Sequence, residues 1–156
     1  QILAVIDKLL SADIPNIKMY LMIGLPGEVD RDIDETIELV AAARDVILSH
    51  ARRRKHMGSL VLSLNPFIPK PRTPYQTGVF AGMAELEDKL DRFRKALLSK
   101  GSIRIYSENP FFAYVQALLS NGTDHMADYL LEVFQQKGSL KRALKPFVIQ
   151  RSRGAA

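Results

Sequence analysis

The residue types that invite chemistry in this sequence gather in two glycine- and proline-rich turns. Gly24-Leu25-Pro26-Gly27-Glu28 closes an apolar run. Glycine has no Cβ to hold a ligand away from the backbone, and a helix starting just after such a turn offers free N–H groups. The turn lacks the lysine and hydroxyl of a Walker loop and the glycine spacing of a dinucleotide fingerprint, so it is not a phosphate cradle. A tight strand-to-helix connection explains it equally well. Glu28 has two readings in the same way: a partner for ligand or backbone, or an acid drawn to the positive end of a helix dipole.

The second turn, residues 65–76, reads Asn-Pro-Phe-Ile-Pro-Lys-Pro-Arg-Thr-Pro-Tyr-Gln. Its prolines stiffen the chain, Phe67 and Tyr75 are able to cover an adenine-like ring, and Lys70 and Arg72 to meet an anion. A rigid surface crossing is the plain alternative, but a prolyl loop of this length after a strand points to function. Other chemistry is sparse. His50, His56 and His125 are scattered without metal-ligand spacing, and there is no GxSxG elbow. The absence of cysteine excludes disulfides, thiolate zinc sites, a cysteine nucleophile and cysteine-ligated iron–sulfur clusters from this chain.

Strands must position these turns. Residues 17–23 and 60–64 are almost unbroken in apolar character, as in parallel strands covered on both faces. Between them, Asp30 caps a helical pattern that runs to about His50, with an acidic first turn (Asp32, Asp34, Glu35) and a stripe of Ile33, Ile37, Val40 and Ile47. This makes a βαβ unit, and its right-handed crossover puts both turns on one rim of the sheet, where α/β folds hold ligands. Strand alternation sets Tyr20, Met22 and Gly24 on one face, beside Val61, Ser63 and Asn65. The opposite, aliphatic faces are expected to meet the helices. In a curved sheet the first set lines a barrel interior.

A basic run, residues 52–56, closes the first crossover helix. A third helix carries Leu86, Leu90, Phe93 and Leu97 inward and spaces Glu85 to Lys89, Asp88 to Arg92 and Asp91 to Lys95 as acid-before-base pairs, with Gly101 ending it. Residues 103–106 alternate in polarity like a short edge strand. Helices follow. Asn109-Pro110 opens one with Phe111, Tyr114, Val115 and Leu118 inward, and Asn121-Gly122 ends it. Asp124 caps the next, whose stripe is Met126, Tyr129, Leu130, Val133 and Phe134; Gly138 closes it before a last turn from Ser139 to Pro146.

With 156 residues, 47% apolar and 25% charged, the chain fits one ordinary core. No apolar run approaches a membrane span and no signal segment opens the chain, so the cytoplasm is the expected compartment and no membrane partner is expected. Net charge is +5, enough to permit nucleic-acid contact, and the tail, residues 150–156, carries part of it. The helical spacing of Ile2, Val5, Ile6, Leu9 and Leu10 starts without a cap, as if the chain were a piece of something longer.

Residues 18–28, Lys-Met-Tyr-Leu-Met-Ile-Gly-Leu-Pro-Gly-Glu, then 32–40, then 65–75, resemble the carboxyl-terminal half of the radical S-adenosylmethionine (radical SAM) catalytic barrel. The resemblance is to the branch shared by Elongator-type, methylthiotransferase, coproporphyrinogen-oxidase-like and cobalamin-associated proteins. It covers about residues 1 to 100, and residues 107–122 look like the segment that follows the barrel in the cobalamin-associated branch. The implied fold is α/β, half of a TIM-like (β/α)6 partial barrel (βαβαβ) over residues 1–107, with a C-terminal helical extension and basic tail over 108–156.

By that resemblance the two strands are the fifth and sixth of the barrel, and their ends hold the adenosyl part of SAM. Met22, Gly24, Pro26 and Gly27 on one side, and Asn65, Pro66 and Phe67 on the other, are the implied cofactor-binding positions. The family's CxxxCxxC loop, which ligates the [4Fe–4S] cluster, is absent here, so no catalytic residue and no metal ligand are assigned to this chain and it is expected to be inactive alone. The parent enzyme would carry the cluster, would have room for cobalamin, and would abstract hydrogen from an unknown substrate. The missing N-terminal half of the barrel is the expected partner, and without it self-association is expected. A basic RNA-binding module, resting on Arg52 to Lys55, and a structural interaction domain without catalysis are the rival readings.

Overall fold

The computed structural model describes residues 1–122 and 125–135. Along the chain run α1 (Ile2–Ser11), β1 (Asn16–Ile23), α2 (Asp30–Arg54), β2 (Ser59–Pro66), α3 (Met83–Leu98), β3 (Ile103–Ser107), α4 (Pro110–Asn121) and α5 (His125–Gln135). The Asp124 cap, the Gly138 stop, the turn to Pro146 and the basic tail lie outside the described residues, as does the Tyr129 side chain. No helix among the described residues is long and apolar enough to cross a membrane.

The fold is α/β with a parallel three-stranded sheet ordered β1-β2-β3. That order decides the layering. When each parallel strand is added on the same side of its predecessor, right-handed crossovers lay every connecting helix on one face of the sheet. Burial agrees. Ile17, Met19 and Ile23 of β1, Leu60, Leu62 and Leu64 of β2, and Ile103 of β3 are buried, whereas the alternate residues Lys18, Tyr20, Met22, Arg104 and Tyr106 are exposed. The covering layer supplies Ile33, Val40, Ala43 and Ile47 from α2 and Leu86, Leu90, Phe93 and Leu97 from α3, while Ile6 and Leu10 bring α1 into the same cluster. Each of these side chains but Ala43, which has a single methyl, contributes about 1.5–3 kcal/mol on leaving water. The result is a sheet with one dry face and one open face.

Several expectations need correction. The helix expected to be capped by Asp30 begins at Asp30 with Val29 as its cap residue; Asp32 Oδ2 accepts the Val29 N–H at 2.8 Å, so the reciprocal half of a capping box fixes the start. It continues to Arg54 and stops where Lys55 turns left-handed (φ 56°). Of the three acid-before-base pairs on α3, Glu85–Lys89 forms at 2.5 Å. Arg92, in contrast, reaches across to α2, pairing with Asp30 at 2.5 Å and Asp34 at 2.7 Å, and Asp91 pairs with Arg94 at 3.1 Å. For Arg92 inter-helix contact outcompeted the local spacing, and Asp91 took the base three residues on instead of four. On α4, Asn109 caps as expected, its Oδ1 accepting the Phe111 N–H at 2.9 Å. Its buried residues are Pro110, Ala113, Val115 and Ala117, and of the expected stripe only Val115 is fully covered. On α5, Phe134 is exposed where a buried face was expected.

Candidate ligand-binding rim

Both strands end on the same rim, as parallel register requires. Met22 stands opposite Asn65 and Ile23 opposite Pro66, and the Phe67 N–H extends the ladder by donating to the Ile23 carbonyl at 2.8 Å. Met22 is exposed and Asn65 half-buried, side by side on the open face. Pro66 falls on the opposite, buried face, so its side chain packs toward the helices and only its backbone reaches the rim.

The turn after β1 leaves the strand at Gly24 (φ +76°) and turns again at Gly27 (φ +84°). The two glycines serve different needs. A Cβ on Gly24 would lie 2.9 Å from both Ala81 Cβ and Leu86 Cδ2, so this residue faces the helix layer and not, as the alternation suggested, the open face with Met22. The left-handed turn ends the pleat and with it the period of two. Gly27 has nothing within 4 Å of where its Cβ would be. Gly27 is therefore the open cradle of the turn and Gly24 its packed hinge.

Beneath the turn lies a buried ion pair. Glu28 Oε2 accepts the Gly24 N–H at 2.8 Å and sits 2.8 Å from Lys89 Nζ, and both side chains are over nine-tenths covered, 7% and 6% exposed. Lys89 also donates to Glu85 Oε1 at 2.5 Å. Burial pulls the Lys89 ammonium down, but hydrogen bonds and charges from Glu28 and Glu85 outweigh it and hold its pKa above the ordinary 10.5. Glu28 thus serves the backbone and α3 and is not free for a ligand. The sequence reading paired Lys89 with Glu85 but missed its burial against Glu28. The available signal was a lysine three residues after Leu86 and next to Leu90, on the apolar stripe of an otherwise amphipathic helix.

The prolyl loop, residues 67–82, folds back over the rim. Gly78 approaches both Pro26 and Phe67: its Cβ would be 3.1 Å from Pro26 Cγ and 3.6 Å from Phe67 Cε1. Phe67 and Tyr75 pack edge to face, centroids 5.6 Å apart at 78°. The loop is stapled internally by Gln76 Oε1 accepting the Arg72 N–H at 3.0 Å and by Thr73 Oγ1 donating to the Lys70 carbonyl at 2.7 Å. Lys70 Nζ donates to Ser120 Oγ at 2.7 Å and Asn121 Nδ2 to the Pro69 carbonyl at 3.0 Å, so Lys70 anchors the loop to α4. The structure therefore brings Met22, Asn65, Pro26, Gly27 and Phe67 to one rim. It turns the side-chain positions of Gly24 and Pro66 away from the open face.

A polar groove of about 470 Å³ lies beyond the end of β3, over α3. Glu87, Asp91, Arg94, Ser107 and Glu108 line it, and its cation is already engaged, Arg94 bonding Asp91 at 3.1 Å and Ser107 Oγ at 3.0 Å. Among the described residues no group of three or more His, Asp or Glu could hold a metal ion.

Over 132 residues, 85% of this chain, the sequence is 31% identical to the uncharacterized protein MJ0966 of Methanocaldococcus jannaschii. The matched stretch is 27% of that protein, so the chain spans about a quarter of the length of this curated relative. No family model matches the chain, and no solved structure matches it.

Proposed function

We propose that this chain is the carboxyl-terminal half of a radical SAM barrel, contributing the adenosyl-binding side of the SAM site to an enzyme that abstracts hydrogen from its substrate. The observation that carries the reading is the open sheet face. Parallel strands are ordinarily covered on both sides. Here the order β1-β2-β3 commits every crossover helix to one side and leaves Tyr20 and Tyr106 exposed on the other, as the inner wall of a closed (β/α) barrel requires.

The residues present fit part of the cofactor. Gly27 leaves space for a ligand against the backbone, Met22 and Asn65 stand side by side at the end of the open face, and Phe67 packs on Tyr75 of the prolyl loop. These positions would hold the adenosyl group, whose chemistry when SAM is cleaved is radical hydrogen abstraction. They do not fit the iron–sulfur cluster, because the chain has no cysteine, so the ligands belong to a preceding half-barrel and cobalamin, if used, to a further domain. The edge of β1, unpaired among the described residues, is where that half would add its last strand.

The RNA-binding alternative is not favoured. Its basic run ends α2, at the opposite end of the sheet from the rim, and Arg54 is engaged by Asp13 at 2.9 Å. The test is the reading frame ahead of Gln1. A CxxxCxxC motif about half a barrel upstream supports the proposal, and an open frame of that length without one removes it.

A further inference from the structure

We propose that the open sheet face binds the anionic end of the substrate: a molecule with a phosphate or carboxylate head and an apolar or aromatic body. The inference rests on the reading above in taking this face as the wall of a reaction chamber. Its own basis is the inventory of the face. In register, the rows are Lys18–Val61–Arg104, then Tyr20–Ser63–Tyr106, then Met22–Asn65. With Asn16 and Ser59 below them, these residues include two cations and six hydroxyl or amide groups besides, and within the strand bounds no carboxylate.

Elsewhere the arginines and lysines that reach acids are spent on ion pairs: Arg31, Arg44, Arg54, Lys89, Arg92 and Arg94. Lys18 instead rests its Nζ 4.5 Å from the centre of the Tyr20 ring, an attraction that a phosphate or carboxylate would readily exceed. Lys18 and Arg104 stand two strand spacings apart, about 10 Å, with only Val61 between them. Two long side chains leaning inward over a valine can close on one anion. The same span is too narrow, and two cations too few, for a nucleic-acid backbone, which is bound through many phosphates.

The face also sets a length. Four residues separate Lys18 from Met22, about 13 Å along the strand. An anion held at Lys18 and Arg104 therefore places the body of the ligand along Tyr20, Ser63 and Tyr106 and its far end at the rim.

The test is a nuclear magnetic resonance titration of the 156-residue chain, at a concentration below its self-association, with phenyl phosphate, benzoate and, as the neutral control, benzyl alcohol. Phenyl phosphate or benzoate should shift amides of all three strands to saturation, benzyl alcohol should not, and the tighter of the two anions identifies the head group. Lys18→Met and Arg104→Met should each weaken binding about tenfold, as expected for losing one charge-assisted hydrogen bond, while Arg53→Met leaves it unchanged. Both side chains are exposed, and Arg104→Lys, which keeps the charge, should retain most of the affinity. Shifts confined to the end of α2, equal binding of benzyl alcohol, or unchanged affinity in both variants would overturn the proposal. A parallel titration with SAM separates the two claims. Anion binding on the strands with no SAM shift at residues 24–27 or 65–67 keeps the anion site and counts against the enzyme reading. SAM shifts at the rim without anion binding overturn the anion site alone.

Discussion

Replacing Lys89 by methionine tests whether the rim turn is held from below. The side chain keeps its length and loses its charge, leaving the Glu28 carboxylate, 7% exposed, with the Gly24 N–H at 2.8 Å as its remaining partner. Removing one partner of a buried pair costs about 3–5 kcal/mol, because the other charge stays buried and unmatched. Glu85 is half in water and screened, so its share is at most about 0.5 kcal/mol, and the lower end of the range, about 3 kcal/mol, is expected. For a chain of this size that corresponds to a fall in Tm of about 6–12 °C, which a domain of ordinary stability survives. In the double variant Lys89→Met/Glu28→Gln the amide still accepts the Gly24 N–H with no charge to strand, and at least about 1 kcal/mol should return. Urea denaturation of the four proteins measures the cycle. The pH dependence has a definite sign. Lys89 has its pKa raised above 10.5 in the folded chain, so its stabilisation is complete below 10.5 and is lost as pH climbs through the folded value; Lys89→Met should lack that alkaline loss. Single losses below about 1 kcal/mol that simply add would refute the clamp.

Gly24→Ala should cost more than Gly27→Ala in urea melts: both carry the left-handed penalty of about 1–2 kcal/mol, but only the first drives a methyl against Ala81 and Leu86 at 2.9 Å. The reverse order would contradict the division of the turn into packed hinge and open cradle. In the enzyme proposed to contain this chain, Asn65→Ala and Phe67→Ala should weaken SAM binding by calorimetry while Arg53→Ala does not; equal losses at all three would mean general destabilisation. The isolated chain should self-associate in light scattering across a concentration series, because among the described residues β1 is paired only on its β2 side and the open face is uncovered. A strict monomer whose amides from Lys18 to Met22 exchange rapidly would count against the half-barrel.

What the sequence made legible was periodic. Alternation separated Ile17, Met19 and Ile23 from Tyr20 and Met22, and the structure keeps that division along both long strands. The apolar stripe Leu86, Leu90, Phe93 and Leu97 is buried as spacing alone indicates. The readings that failed concern groups with several partners within reach. Arg92 has an acid four residues before it on α3, yet Asp30 and Asp34 on α2 win, a choice invisible until the helices are side by side. Gly24 looked like the continuation of the open face because a period of two was carried past the last strand residue, where a positive φ had already ended it. The burial of Lys89 escaped notice because a lysine paired with Glu85 on a charged helix reads as surface until Glu28, 61 positions earlier, is placed beneath it.

The central claim is tested most directly by the protein translated from the intact reading frame that contains this chain, reconstituted anaerobically with iron and sulfide and supplied with SAM and a reductant. The account expects 5′-deoxyadenosine to form, and to fall steeply when Gly27 is replaced by valine in a variant that still folds. An intact product that takes up no cluster and releases no 5′-deoxyadenosine would contradict it.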